Sequence, residues 1–436
     1  ARATACASAT RKTVLDYISE LTDSFARLTS SGPMLLGSYF TEEDESLFTS
    51  GAKEEDVHLE IDKLISKYGY AVEKFNVTTE DGYILKLFRI PSCGRPVFLM
   101  HGLLLSADDW VTAGPESGIA YLLGSEGFDV WLGNARGTKH SRQHRWLSPE
   151  SADFWDFSWD EIGRYDLPAM IDFILHTTRQ SQLVYVGHSQ GTTSFFVMGS
   201  EKPEYNDKIS LMIALSPAAA IPNLTNPLLV FVKYISLMRP DILFAILRKL
   251  GLHELTINDA HKVLQAFAAV ICVNSEIAQA ICSNILFLIG GFSYSQLNMT
   301  ALPVLLSHMQ TSGVAVKQIE HYAQTVTFGN FQRFDYGSMK NKMLYNSVMP
   351  PKYNIGAITT PVAMFYSAGD WLASEPDTHI LRSKLNNVVD FYKIADKTFN
   401  HLDFMYNKRM KTTANCFKCI HKPVIKCLSV KSNNLT

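Results

Sequence analysis

Between residues 70 and 217 short, almost unbroken apolar runs alternate with stretches of helical spacing, and that alternation leaves few architectures open. "AVEKFNVTT", "YILKLFRI", "PVFLMHG", "FDVWLGN", "QLVYVGHS" and "ISLMIALSP" read as strands. The first two flank "EDG", a hairpin turn signal. The later runs are apolar on both faces, as strands are when a mostly parallel sheet is covered on both sides. "SGIAYLLGSEG", "EIGRYDLPAMIDFILHTT" and "GTTSFFVMGS" lie between them with helical patterns. Strand, helix and strand in succession predict an α/β sheet flanked by helices. The rhythm stops after Pro217. Residues 220 to about 340 read as consecutive helices and loops rich in Leu, Ile, Val and Phe. "TPVAMFYSAGD" (360–370) and "VVDFYKIA" (388–395) then read as two more strands. One sheet interrupted by a helical insert is the expected fold.

Composition narrows the class. The chain has 436 residues, 47% apolar and 19% charged, with a formal net charge of −2. That is enough to build a large core, and it offers no basic field for nucleic acid. The longest apolar stretch, "NPLLVFVKYISLMRPDILFAILRKLGL", is interrupted by Lys233, Arg239, Pro240 and Asp241, so no transmembrane segment is expected. The chain opens at Ala1 without a charged-then-apolar leader, which reads as a processed secretory protein or a fragment. Glycosylation triplets stand at Asn76, Asn223, Asn298 and Asn434. The cysteines Cys6, Cys93, Cys272, Cys282, Cys416, Cys419 and Cys427 are odd in number, so at least one is free or pairs with another chain. "TVLDYISELTDSFARL" predicts one amphipathic helix in an N-terminal extension that carries no evident chemistry.

"VYVGHSQGTT" carries the strongest chemical signal. In G-x-S-x-G a serine occupies a sharp strand-to-helix turn, and Gly187 and Gly191 let that turn close around Ser189. The following helix aims its N-terminal amides at the same place. A serine hydroxyl needs a base. On such a scaffold the acid and then the histidine follow at the ends of later strands. Asp370 ends one strand and His401 follows another. His401 would take the Ser189 proton and return it to the leaving alcohol, with Asp370 orienting the imidazole. Asp377 and Asp396 compete for the acid role. The oxyanion of the attacked carbonyl needs backbone amides, each worth about 10²–10³ in rate. Gln190, directly after the nucleophile, and Leu103, after His101-Gly102, are the candidates. His101 reads as a brace for that loop.

"HGLLLSADDW", "WLGNARGTKHSRQH", "FWDFSWDEIGRYDLPAMIDFIL", "GHSQGTT", "AGDWLASEPD" and "NHLDF" together closely resemble the acid lipase family, which includes gastric lipase and lysosomal acid lipase. The likeness runs from about residue 57 to about 410. It implies an α/β-hydrolase fold, a mostly parallel central sheet flanked by helices with an inserted helical cap and lid. It implies hydrolysis of triacylglycerols, and in some members of sterol esters, with Ser189, Asp370 and His401 as triad and Leu103 and Gln190 as oxyanion donors. "VICVNSEIAQAICSN" resembles the cap disulfide of the family, which implies a Cys272–Cys282 bond. Ala135 stands in "GNARG" where the family commonly has serine. The implied organisation is an extension (1–55), a hydrolase core (56–218), a cap and lid (219–340), the rest of the core (341–411) and a tail (412–436).

The insert around 226–255 is more apolar than a water-facing helix, with Lys233, Arg239, Arg248 and Lys249 interspersed. It reads either as a lid that turns toward a lipid surface or as a buried cap helix. Burial gains roughly 0.8 kcal/mol per methylene, so an apolar lining favours long acyl chains as a class. The expected activity is that of a serine lipase or esterase, acting through an acyl-enzyme as a monomer in peripheral contact with lipid, on the secretory route, either secreted or lysosomal. A catalytically silent lipid binder and a thioesterase or short-chain carboxylesterase are the alternatives. "CFKCIHKPVIKC" has zinc-like residues in cramped spacing and reads as a disulfide or a disordered tail, so no metal and no cofactor are expected. The basic "RGTKHSRQHR" reads as a solvated surface loop.

Overall fold

A computed structural model describes residues 55–226, 244, 247–249, 251–256, 302–309 and 313–407. The N-terminal helix, the Cys272–Cys282 pair, Asn298, Asn434, the cysteines of the tail, Cys6 and most of the 226–255 insert lie outside the described residues.

The eight expected strands are present: β1 (Glu73–Thr78), β2 (Tyr83–Ile90), β3 (Pro96–Met100), β4 (Asp129–Gly133), β6 (Leu183–His188), β7 (Ile209–Leu215), β10 (Val362–Tyr366) and β11 (Val388–Lys393). They hydrogen-bond in the order β1-β2-β4-β3-β6-β7-β10-β11. A two-residue strand, β5 (Gln143–His144), pairs antiparallel with β2. β1, β2 and β4 are joined antiparallel, and from β4 onward every pairing is parallel. Every residue of β3, β4, β6, β7 and β10 is buried, which is why these strands are mostly apolar on both faces rather than alternating. β3 lies between β4 and β6 although it precedes both in sequence, so the chain turns away from it in opposite directions. At such a reversal the carboxyl ends of the strands frame a crevice.

The described helices include α1 (Ile61–Lys67), α2 (Ile119–Ser125), α3 (Leu167–Thr178), α4 (Gln190–Glu201), α5 (Leu302–Met309), α6 (Val316–Phe328) and α7 (Glu375–Lys384). The run "WDEIGRYDLPAM" enters α3 through a capping box of Ser158 and Glu161 and then a π-turn at Ile162–Asp166. Pro168, with no amide hydrogen, cannot make the regular bond back to Arg164, and the wider turn absorbs the loss.

Two sequence readings are corrected here. The span 220–340 is not helix and loop alone, because β8 (Glu254–Thr256) and β9 (Gly313–Ala315) form a small antiparallel sheet. Strands of three residues are too short to show a period-two pattern. Nor is "RGTKHSRQHR" a solvated loop. Arg136 is 2% exposed and lies between two carboxylates. It donates to Asp81 at 2.6 and 2.9 Å and to Asp166 at 2.6 and 2.8 Å, with its guanidinium 4.0 Å from the Tyr83 ring centroid. Lys139 pairs with Asp108, and Arg142 with Glu254. Charge pairing across the fold, invisible in a local window, turns Arg136, Lys139 and Arg142 inward and leaves Gln143 and Arg145 exposed.

Candidate active site

Ser189 follows β6 directly and sits at φ 52°, ψ −116°, the N-cap position of α4. Non-glycine residues rarely adopt this region, so the surrounding backbone must hold it. A side chain on Gly187 would press on the backbone of Gly191, and one on Gly191 would collide with the carbonyl of Met100. The two glycines therefore let α4 close onto β6 and onto the end of β3. The Ser189 amide donates to the Leu215 carbonyl at 3.1 Å. The turn is thus tied into the carboxyl edge of the sheet, with its hydroxyl-bearing side chain half-buried.

Asp370 lies four residues past β10, and His401 lies in the loop after β11. They meet: His401 Nδ1 is 2.9 and 3.0 Å from the two carboxylate oxygens of Asp370. The carboxylate also accepts from the amides of Leu372 and Ala373, both at 2.9 Å, and from Ser216 Oγ at 2.6 Å. Burial pushes the Asp370 carboxyl up, but His401, Ser216 and the Ala373 amide outweigh it and hold the group below its ordinary range. With Nδ1–H donated to the carboxylate, the His401 Nε2 lone pair is available to receive a proton. The competing carboxylates are engaged locally. Asp377 accepts from Asn223 at 2.7 and 3.0 Å and from Ser374 at the start of α7, and Asp396 accepts from Thr398. "NHLD" is itself a small frame around the imidazole. Asn400 Oδ1 accepts from the amides of Leu402 and Asp403 at 2.9 and 3.0 Å, and Asp403 accepts from the Asn400 amide at 2.7 Å.

The loop after β3 lies against the nucleophile turn. A Cβ on Gly102 would stand 3.1 Å from Ser189 Cβ. Leu104 has φ 65°, so the loop turns sharply just past Leu103. His101 braces it, accepting from the Ala135 amide on Nε2 at 3.1 Å and therefore donating from Nδ1 to the Gly102 carbonyl at 2.8 Å. Burial keeps this ring neutral, its pKa pushed down to about 4. Gln190 is the first residue of α4, so its amide has no acceptor within the helix. Its side chain accepts from Gln318 of α6 at 3.2 Å, which joins this end of α4 to residues of the insert.

The same loop is pinned from below by two adjacent aspartates with opposite fates. Asp108 is fully buried and meets His140 and His308 at 2.6 Å each as well as Lys139, which hold it ionised against the cost of burial. Asp109 accepts from Tyr406 and, at 2.6 Å, from the Ser106 amide, but burial dominates and raises its pKa to about 6. A carboxyl whose folded value is raised contributes stability fully below its unfolded value, near 4, and loses it as pH rises through 6. Asp109→Asn is accordingly expected to gain about 2–3 kcal/mol on the wild type between pH 4 and pH 7. Urea unfolding at the two pH values measures it, and parallel stabilities would refute it.

Sequence reasoning missed Ser216, which donates to Asp370, His188, which meets the His401 carbonyl, and Asn400, which caps the turn carrying His401. Ser216 at the end of β7 carried one signal, its position at a strand's carboxyl end, and the other two carried none beyond adjacency to Ser189 and His401. Among the described residues no cluster of His, Cys, Asp or Glu is arranged to hold a metal ion, and no helix is long and apolar enough to cross a membrane. Cys93 is free and exposed.

The strained serine turn and the histidine–carboxylate pair both stand at the carboxyl edge of one sheet of the α/β-hydrolase fold, and the comparisons with known proteins make the chain a carboxylic ester hydrolase. Residues 61–114 match the partial alpha/beta-hydrolase lipase region, and residues 95–239 match the alpha/beta hydrolase fold. Lipase 1 of Drosophila melanogaster is 42% identical over 354 residues, covering 81% of this chain and 77% of that protein. Lipase member K of Mus musculus is 39% identical over 363 residues, with 80% and 87% covered. Gastric triacylglycerol lipase of Homo sapiens is 39% identical over 361 residues, also with 80% and 87% covered. The chain belongs to this family of α/β-hydrolase lipases.

Proposed function

We propose that the chain is a serine lipase that hydrolyses esters of long-chain acyl lipids, triacylglycerols and sterol esters among them, through an acyl-enzyme. The observation that carries the reading is the strained backbone of Ser189 at the carboxyl edge that also holds the His401–Asp370 pair. Ser189 Oγ attacks the ester carbonyl carbon while His401 Nε2 takes its proton. The negative charge that forms on the carbonyl oxygen is received by the amides of Leu103 and Gln190, and Asp370 steadies the imidazolium. The tetrahedral adduct collapses, the carbon–alkoxy bond breaks, and the imidazolium hands its proton to the departing alcohol. Water then repeats the sequence on the acyl-serine, releasing the fatty acid and restoring Ser189.

Residues 219–340 serve as the cap over this crevice, with the apolar insert near 226–255 in peripheral contact with the lipid surface. Of the proposed glycosylation sites, Asn76 and Asn223 are both exposed, which supports passage through the secretory route to a secreted or lysosomal destination. The names of the relatives support a lipid ester as substrate.

A fluorophosphonate probe tests the chemistry. It is expected to label Ser189 alone among the serines and to leave Ser189→Ala unlabelled. A folded, unlabelled wild type would instead favour a lipid-binding protein without chemistry. A chain-length series of esters separates the enzyme readings: rates that rise toward long acyl chains support a lipase, and a preference for short chains or thioesters refutes it.

A further inference from the structure

His188, between Gly187 and Ser189, has no part in the chemistry above, yet it occupies the space where three parts of the site meet. It is fully buried. Its Nε2 lies 2.9 Å from the main-chain carbonyl of His401, and the two imidazoles are 5.0 Å apart between ring centroids. A carbonyl only accepts, so the proton is on Nε2 and Nδ1 carries a lone pair. Among the described residues that Nδ1 is buried with no hydrogen-bond partner, and it faces the Gly102 turn, where a Cβ would come within 3.1 Å of it. Burial, reinforced by neighbouring His401, holds the ring neutral, with its pKa pushed down to about 3.

A buried acceptor with no partner costs about 1–3 kcal/mol, and an apolar side chain of similar shape would avoid that cost. The imidazole is therefore a poor choice if its task were only to fill space. What it supplies is the donor at its other end, and that donor reaches the residue that would act as base.

We propose that His188 is a positioning residue. Its Nε2–H ties the loop bearing His401 to the strand end bearing Ser189, so that hydroxyl and imidazole are held in register while the ring supports the Gly102 turn. The inference rests on the Ser189–His401–Asp370 reading. It adds that the nucleophile motif holds its own base in place, through the residue immediately before the serine.

The test compares His188→Gln with His188→Met in the full-length protein. A glutamine amide nitrogen can stand where Nε2 stands and donate to the same carbonyl, whereas methionine fills the volume without a donor. On a soluble ester, His188→Met is expected to lose about 10²-fold in kcat with KM changed less than twofold, the size of loss that misplacing reacting groups by about 1 Å produces. Fluorophosphonate labelling of Ser189 should slow in parallel, and His188→Gln should stay within about threefold of wild type. Equal losses in the two variants, wild-type kcat in His188→Met, or a change in KM alone would each overturn the proposal. If His188→Met does not fold, His188→Asn replaces it, since its amide is too short to reach the carbonyl, and equal kcat for the Gln and Asn variants would then refute the tie. Ser189→Ala separates this outcome from the reading beneath it. Activity surviving in that variant refutes the triad itself, whereas its loss beside an unaffected His188→Met refutes the positioning role alone.

Discussion

Asp370→Asn is expected to lower kcat by about four orders of magnitude while leaving the protein folded. The amide has the shape of the carboxylate, and its oxygen can keep the two bonds from Leu372 and Ala373. Its nitrogen then takes the place of the oxygen that faces Ser216 and His401. Ser216 adapts, because a hydroxyl can accept as readily as donate. His401 keeps only the neutral oxygen, 3.0 Å from Nδ1 and already shared with two amides, while the new nitrogen stands where the nearer oxygen was. A donor opposite Nδ1 favours the tautomer with its proton on Nε2, and that nitrogen can no longer receive the Ser189 proton. Turnover of a soluble ester together with the rate of fluorophosphonate labelling measures the effect, with thermal unfolding as the check on the fold. A loss of less than tenfold would remove Asp370 from the proposed role, and Asp377 or Asp396 would have to be reconsidered.

The second large effect concerns stability. Arg136→Ala is expected to cost about 3–5 kcal/mol, because it strands Asp166, which is 0% exposed, with no compensating charge. The Arg136 main-chain amide would still donate to Asp166 at 2.9 Å, but the guanidinium bonds to both carboxylates would be gone. The contact with the Tyr83 ring would go with them. Equilibrium unfolding in urea measures the cost. Arg136→Met combined with Asp166→Leu should recover most of it, since replacing a buried pair with apolar groups is often close to neutral. If Arg136→Ala alone unfolds at the wild-type urea concentration, the pair contributes nothing to stability.

β3, β6, β7 and β10 were legible because each holds four or more consecutive apolar residues, a pattern that burial on both faces imposes, and β1 and β2 were legible from the turn between them. β8 and β9 were not, being three residues each, and β5 is a polar pair whose only mark is its partner on β2. Arg136 was misread for a related reason. Its partners Asp166 and Asp81 stand 30 and 55 residues away, so a reading of neighbours saw only a cluster of positive charge. In the site, Ser189, Asp370 and His401 could be named because each follows a recognisable strand in the order such chemistry uses. All three aspartates stand between Ser189 and His401, and Asp370 was preferred over Asp377 and Asp396 because it ends a strand. In the fold the alternatives are occupied, Asp377 by Asn223 at the start of α7 and Asp396 in a turn with Thr398. Ser216, His188 and Asn400 escaped notice because a serine, a histidine or an asparagine beside a strand end has no local signature of what it will touch.

The pairing of β8 with β9 has a consequence for how such a chain can diversify. Thr256 sits opposite Gly313, so two points far apart in sequence are held side by side, and Arg142 fastens this pairing to the body through Glu254. The entropy of closing a loop rises only with the logarithm of its length, about 0.6 kcal/mol for each doubling. A change of chain length between these two strands thus adds little closure entropy so long as α5 keeps His308 on Asp108, and the reactive groups keep their places.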